Sequence, residues 1–174
     1  MRPLHHLGYW VDDLDEGIDR AIRTLGVGPF LVDEHVAFDD FTLADGSRIE
    51  DPSYLDHTAA FAAWGPVVIE LAVVHTVDPW LADAYRLGRP GLGHVSWVVE
   101  DLATESARLE ELGCPLIHTA SSGAVAVAWH DGGPLFPHPV EVHRSGAPIL
   151  GMHGRLAALA EGWDGRERRR PIRG

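Results

Sequence analysis

The sequence predicts an α+β chain made of two copies of a strand–helix–strand–strand–strand unit. Two observations carry that expectation. Residues 4–14 read LHHLGYWVDDL and residues 92–102 read LGHVSWVVEDL, so that Leu4 falls on Leu92, His6 on His94, Val11 on Val99, Asp13 on Asp101 and Leu14 on Leu102. Each copy then runs into an amphipathic stretch ending in Leu-Gly, at Leu25-Gly26 and at Leu112-Gly113. A repeated strand feeding a helix marks two copies of one module in a single chain.

The elements follow in order. Residues 4–11 carry Tyr9, Trp10 and Val11, which suit a strand, with His6, Gly8 and Trp10 on one face. Asp12, Asp13 and Asp15 collect where a helix should start, because carboxylates cap its free amides and oppose its dipole. Ile18, Ala21, Ile22 and Leu25 have helical spacing, and Gly26 suits the C-cap. After the Gly28-Pro29 turn, residues 30–38 read as a second strand with Glu34 and His35 in its middle. Residues 39–54 mix Asp, Gly, Ser and Pro and read as a long irregular loop. Residues 57–64 and 67–74 are the third and fourth strands. VVIELAVV is nearly all apolar and belongs inside a sheet. Residues 78–87 form a short helix, with Asp78 capping and Pro79 in its first turn.

Three glycines and a proline within residues 88–93 break the chain, so the first module spans 1–87. The second, 88–145, repeats the order: a strand over 92–99, a helix over 102–112, and strands over 116–118, 124–129 and 139–143. A C-terminal piece, 146–174, holds a helix over 152–163 and the cluster Arg166 to Arg173, read as a frayed basic end.

Composition bounds the function. The chain has 174 residues, 45% of them apolar, enough for a packed core. Its net charge of −12 argues against a nucleic-acid partner, which would need basic phosphate contacts. No apolar run approaches the roughly 20 residues of a membrane span, and the N-terminus enters the first repeat at once, leaving no room for a signal peptide. Cys114 is the sole cysteine, so an intrachain disulfide is impossible and a reducing cytoplasm is expected.

Four residues stand out. Each module places a histidine on its first strand, His6 and His94, and a glutamate in the middle of its last, Glu70 in VVIEL and Glu141 in HPVEV. Taken singly, each histidine could be structural or exposed, Glu70 could pair with an arginine, and Glu141 could face solvent. Their repetition at equivalent places couples them. A carboxylate among aliphatics costs several kcal/mol if buried unpaired. Two imidazoles with two carboxylates suit a divalent cation such as Zn, Co, Ni, Mn or Fe.

LHHLGYWVDDL, VVIEL, GLGHVSWVVEDL, LEELGCPLI, residues 123–130 and HPVEVHR together resemble the vicinal oxygen chelate superfamily, the glyoxalase, bleomycin-resistance and dioxygenase fold. The pattern is nearest to its methylmalonyl-CoA epimerase and glyoxalase I branches. The resemblance implies paired βαβββ modules whose curved mixed sheets surround a metal-binding cavity, with His6, Glu70, His94 and Glu141 as ligands. It implies a metal-dependent lyase or isomerase that enolises a carbonyl substrate bearing an adjacent oxygen or thioester. Glu141 or Glu70 would be the base, and Glu34 is a further candidate against its reading as a solvated neighbour of Asp33. Trp10, His57, His130 and His143 are candidate pocket residues. The resemblance also implies a small-molecule substrate and a homodimer. The competing readings are an Fe(II) ring-cleaving dioxygenase and a non-catalytic binding or resistance protein. Three features depart from the epimerase pattern: Glu70 where glutamine is common, the long 39–54 segment, and the extension after Arg144.

Overall fold

The computed structural model describes residues 2, 4–89 and 91–172. Pro90 of the predicted break and Arg173 of the basic cluster lie outside the described residues. The first half contains β1 (Leu4–Trp10), α1 (Leu14–Leu25), β2 (Phe30–Asp33), β3 (Asp40–Leu43), β4 (Leu55–Trp64) and β5 (Val67–Val77). A short helix, α2 (Pro79–Ala84), leads to the second half: β6 (His94–Val99), α3 (Leu102–Glu111), β7 (Leu116–Ser122), β8 (Val125–His130) and β9 (Val140–Arg144). The chain ends with α4 (Ala147–Ala160) and β10 (Arg169–Pro171).

The strands form one curved, unclosed mixed sheet in the order β10-β2-β4-β5-β1-β6-β9-β8-β7-β3. Its centre is the antiparallel pair β1–β6, flanked by the parallel pairs β1–β5 and β6–β9. The two halves therefore meet first strand to first strand, about an approximate two-fold axis. Gly8 lies opposite His94 and His6 opposite Ser96, and the repeat equates Gly8 with Ser96 as it equates His6 with His94.

The same chemistry starts both helices. Asp13 accepts a hydrogen bond from the Glu16 amide at 2.8 Å, and Asp101 accepts one from the Thr104 amide at 3.0 Å. Such caps contribute about 1 kcal/mol each. Helix α1 ends at Gly26, whose φ of +69° is the left-handed conformation that glycine adopts without strain.

Both helices cover the outer face of the sheet. Leu14, Ile18 and Ala21 of α1 pack on Phe30, Val32, Ala60, Ala62, Ile69 and Leu71. On the inner face of the first half, Leu156 of α4 packs with Leu31 and Val68, supported by Phe61, Met152 and Leu159. In the second half, Leu81 and Tyr85 pack against Phe41, Ala120, Val127 and Trp129.

Three expectations are corrected. The second strand stops at Asp33 instead of running to residue 38, because His35 takes a φ of +52° and turns the chain. The 39–54 segment is not a plain loop. Its β3 pairs with β7 of the second half, Phe41 against Ala120, and becomes that half's outer edge. The basic tail is tied down: β10 runs parallel to β2, Arg168 pairs with Asp19, and Arg169 reaches Asp15 at 3.3 Å. Its arginines answer the acidic residues of α1. No helix among the described residues is long and apolar enough to cross a membrane.

Glu105 fixes α3 to the sheet. Its buried carboxylate accepts hydrogen bonds from Trp97 of β6 at 3.1 Å, from Arg108 at 2.7 and 3.0 Å, and from Arg2. Burial works against its charge, but the donors Arg108, Arg2 and Trp97 prevail and hold the group at about 2 against an ordinary 4.5. A lowered folded-state pKa stabilises fully above the unfolded value and is lost as pH falls toward the folded one. Glu105→Gln should therefore melt below the wild type near neutral pH. That gap should narrow as pH falls from about 4.5 toward 2, as thermal melts followed by circular dichroism would show.

Candidate metal centre

Four side chains converge at the middle of the inner face. His6 Nε2 lies 2.8 Å from Glu70 Oε2 and 3.1 Å from Glu141 Oε2. His94 Nε2 lies 3.1 Å from Glu70 Oε2, 3.9 Å from Glu141 Oε2 and 2.9 Å from His6 Nε2. All four residues are buried.

The pairing explains the convergence. One row across the sheet runs Phe61, Glu70, Gly8, His94, and the next runs His6, Ser96, Glu141, Trp129. In each row a small residue separates an imidazole from a carboxylate. The His94 ring lies over Gly8, where a Cβ would come within 1.9 Å of its Cε1. Glycine is required there so that the ring can cross β1 toward Glu70. Ser96 is the counterpart beside His6 and is wholly buried.

His5 enters through an irregularity. The β1–β6 register shifts between Leu4 and His6, which sets His5 beside His6 with their Nδ1 atoms 2.7 Å apart. One ring's N–H donates to the other's lone pair, which leaves His6 Nε2 facing the carboxylates. Burial first, then His143 and His6, push the His5 imidazole down to about 3, so it is neutral. His143 is 2.9 Å from Glu141 Oε2, and His153 of α4 is 2.8 Å from the His5 carbonyl, which accepts its N–H.

The electrostatics are those of charges buried together. Burial opposes a charge on His6, yet Glu70 and Glu141 outweigh it and raise the imidazole to about 10. Burial likewise opposes ionisation of the two carboxyls. His6 and His94 beside Glu70, and His143 and His6 beside Glu141, hold both well below the usual carboxylate range.

The donor set fits a divalent cation. Atoms bound to one ion at about 2.1 Å stand roughly 3.0–3.5 Å apart; the His–His and His–Glu separations here run from 2.8 to 3.9 Å, and His6, Glu70 and His94 form the tightest group, with Glu141 reached through His6. Buried polar atoms without a protein partner lie on the residues of the centre and those beside them: Ser96 Oγ, His94 Nδ1, His143 Nδ1 and His5 Nε2. Buried groups of this kind call for an ion or water.

The other candidates fall in different places. Half-buried His57 keeps a lowered pKa, burial prevailing over the pull of Glu70 and Glu141, and stacks on Phe38. Trp10 stacks on Tyr85 at 5.6 Å and lies 5.8 Å from His94. His130 is not brought to the centre. It faces α3, bonding Ser106 Oγ at 2.8 Å and the Cys114 carbonyl at 2.9 Å, because its neighbour Trp129 takes the inner face. Nor is Glu34, which is exposed beyond the end of β2, beside Arg169 and Arg170 in a cleft of about 330 Å³. Clefts of about 430 and 560 Å³ also open away from the four donors.

Sequence reading missed Tyr85, His118 and Ser96. Tyr85 stands between Trp10 and Trp129, with its hydroxyl hydrogen-bonded to His118 Nε2. Nothing local marks it, since α2 carries it into the second half. Ser96 was within reach, because the repeat equates it with Gly8.

A curved sheet of paired βαβββ units holding a His2Glu2 cluster on its axis defines the class: a two-module fold with a candidate metal centre between equivalent strands. A sequence model of the Glyoxalase/Bleomycin resistance protein/Dioxygenase superfamily matches residues 5–131, and the chain belongs to that superfamily. A comparison with curated protein sequences returns no match. Among solved structures, the chain is similar to methylmalonyl-CoA epimerase from Mycobacterium tuberculosis (20% identity, 85% of this chain and 91% of that one, TM-score 0.52). It is similar to a protein of Bacillus halodurans C-125 (17% identity, 83% and 95%, TM-score 0.55). A third is a Streptomyces coelicolor methylmalonyl-CoA epimerase variant in complex with 2-nitronate-propionyl-CoA (12% identity, 83% and 97%, TM-score 0.52). At these identities the likeness is one of fold.

Gly8→Ala should disturb the centre without removing any donor atom. The added methyl must displace the His94 ring, and the expected outcome is at least a tenfold loss of Co(II) or Zn(II) affinity by competition titration. Ser96→Ala, which adds no bulk beside His6, should lose far less.

Proposed function

We propose that the chain is a metal-dependent isomerase or lyase that enolises a small substrate carrying a carbonyl beside an oxygen or a thioester. The observation that carries this reading is the meeting of His6, Glu70, His94 and Glu141 at one buried point. These four would hold the ion, leaving one or two positions of a five- or six-coordinate cation for substrate oxygens. When bound, a divalent cation supplies Lewis acidity for negative charge developing on those oxygens.

The chain's own residues supply the rest. His6, Glu70 and His94 would hold the ion throughout, and Glu141, the fourth donor, would give up that place to take the proton from the carbon next to the carbonyl and return it, on the other face or to a neighbouring atom. His143, hydrogen-bonded to Glu141 Oε2, keeps that carboxylate oriented during transfer. His5 fixes the His6 ring through Nδ1. The Trp10–Tyr85–Trp129 stack stands on one side and α4 on the other; with substrate bound between them they would exclude water and strengthen each charge interaction within. Acyl-CoA thioesters belong among the substrates to test, given the epimerases of similar fold. A fourth protein donor leaves fewer open positions than the two-histidine, one-carboxylate triad of Fe(II) oxygenases, and so disfavours ring cleavage. A homodimer and a cytoplasmic setting are part of the same proposal.

The test is proton exchange. In D2O, with Co(II), Ni(II) or Zn(II) supplied, deuterium should enter the carbon acid of a substrate drawn from α-oxygenated carbonyls and acyl thioesters, read by mass spectrometry. Glu141→Gln should slow exchange by about 10²-fold or more. Binding of a panel member with no exchange in any metal form would favour sequestration over turnover.

A further inference from the structure

A second group of ligand-type side chains lies apart from the centre, where the β4–β5 hairpin approaches the end of β2. His35, Asp56 and His75 each offer a donor atom, and these atoms lie within 4.8 Å of one another. His35 Nδ1 is 2.9 Å from both Asp56 oxygens, and the two imidazole rings are 4.7 Å apart. His75 Nε2 is 2.9 Å from Thr58 Oγ1, the same hydroxyl that accepts the His35 backbone N–H. Thr58 is buried, whereas both histidines are exposed.

Two irregularities of the backbone produce this meeting. His35 takes a φ of +52°, which side-chain-bearing residues rarely adopt. The β4–β5 ladder slips between Asp56 and His57, so that Asp56 faces Thr76, His57 faces Val74, and His75 is the extra residue of a bulge. Bulges redirect side chains and recur beside functional sites. An exposed His–Asp pair alone contributes little. What the two irregularities achieve together is to bring two imidazoles and one carboxylate within 4.8 Å of one another, with Thr58 holding His75, as outer-shell partners orient ligating histidines.

We propose that His35, Asp56 and His75 form a second, surface site for a borderline divalent cation of the Zn(II) class. Two imidazoles and one carboxylate suit such ions and leave a fourth, tetrahedral position open. Bound donors stand closer than 4.8 Å, and rotation of exposed side chains closes that distance. The ion would clip the turn after β2 to the hairpin. His35 and Asp56 also line the cleft of about 430 Å³, together with Phe38, Phe41 and Tyr54, so the ion would stand at its edge.

The test is equilibrium dialysis of the full chain, stripped with chelator, against Zn(II) alone, with bound zinc quantified. The wild type should hold two ions per chain. A His35→Ala/His75→Ala double variant should hold one, and Asp56→Asn should weaken the second binding class at least tenfold with an unchanged circular dichroism spectrum. His94→Ala should also hold one, retaining the surface ion, so the two sites are read separately. If the double variant and Asp56→Asn bind zinc as the wild type does, the surface site is overturned while the central one stands. If the wild type holds a single ion that is lost in the double variant and kept in His94→Ala, the surface site stands and the central assignment falls.

Discussion

The structure depends on the register in which β1 meets β6. Because Gly8 lies opposite His94 and Ser96 opposite His6, each imidazole can fold over a small residue of the other half and reach a carboxylate one strand further on. A slip of one residue would turn every side chain of a strand to the opposite face. It would take His6 and His94 from both carboxylates, leaving Glu70 buried without a partner, at a cost of several kcal/mol, and Glu141 with His143 alone. The pairing that joins the halves and the compensation of their buried charge are thus one arrangement. The small residues matter as much as the histidines and glutamates, since they let the rings cross.

Around that axis the two halves are filled differently. The first carries α4 on its inner face, with Leu156 on Leu31 and Val68. The second carries α2, with Tyr85 between Trp10 and Trp129. The donors are alike on the two sides and the walls are not. On the proposed function, a substrate would meet an aromatic stack on one side and a helix bearing Met152 and His153 on the other, and these unlike walls would choose its reacting face.

What the sequence discloses follows from what duplication repeats. His6 and His94, the caps Asp13 and Asp101, and the carboxylates interrupting VVIEL and HPVEV are visible because the same structural need recurs. The misses have physical causes. The partner of β3 lies in β7, far along the chain, and no local pattern reports it. Glu34 sits in a stretch with strand character, but β2 ends at Asp33 because His35 turns the chain in the left-handed conformation. His130 sits in VAVAWH, a strand covered on both faces, where no alternation of polarity tells inside from outside. The acidic first turns of α1 and the arginines of the tail are each plain in sequence, but their meeting is a matter of topology.

The excursion of β3 has a consequence for how copies of this chain can associate. A segment born in the first half completes the border of the second, so neither half possesses its full complement of strands alone. Were two molecules to trade halves, β3 would travel with its own first half and border the second half of the partner, so the exchange would keep this pairing. The thread thus binds a first half to whichever second half stands beside it.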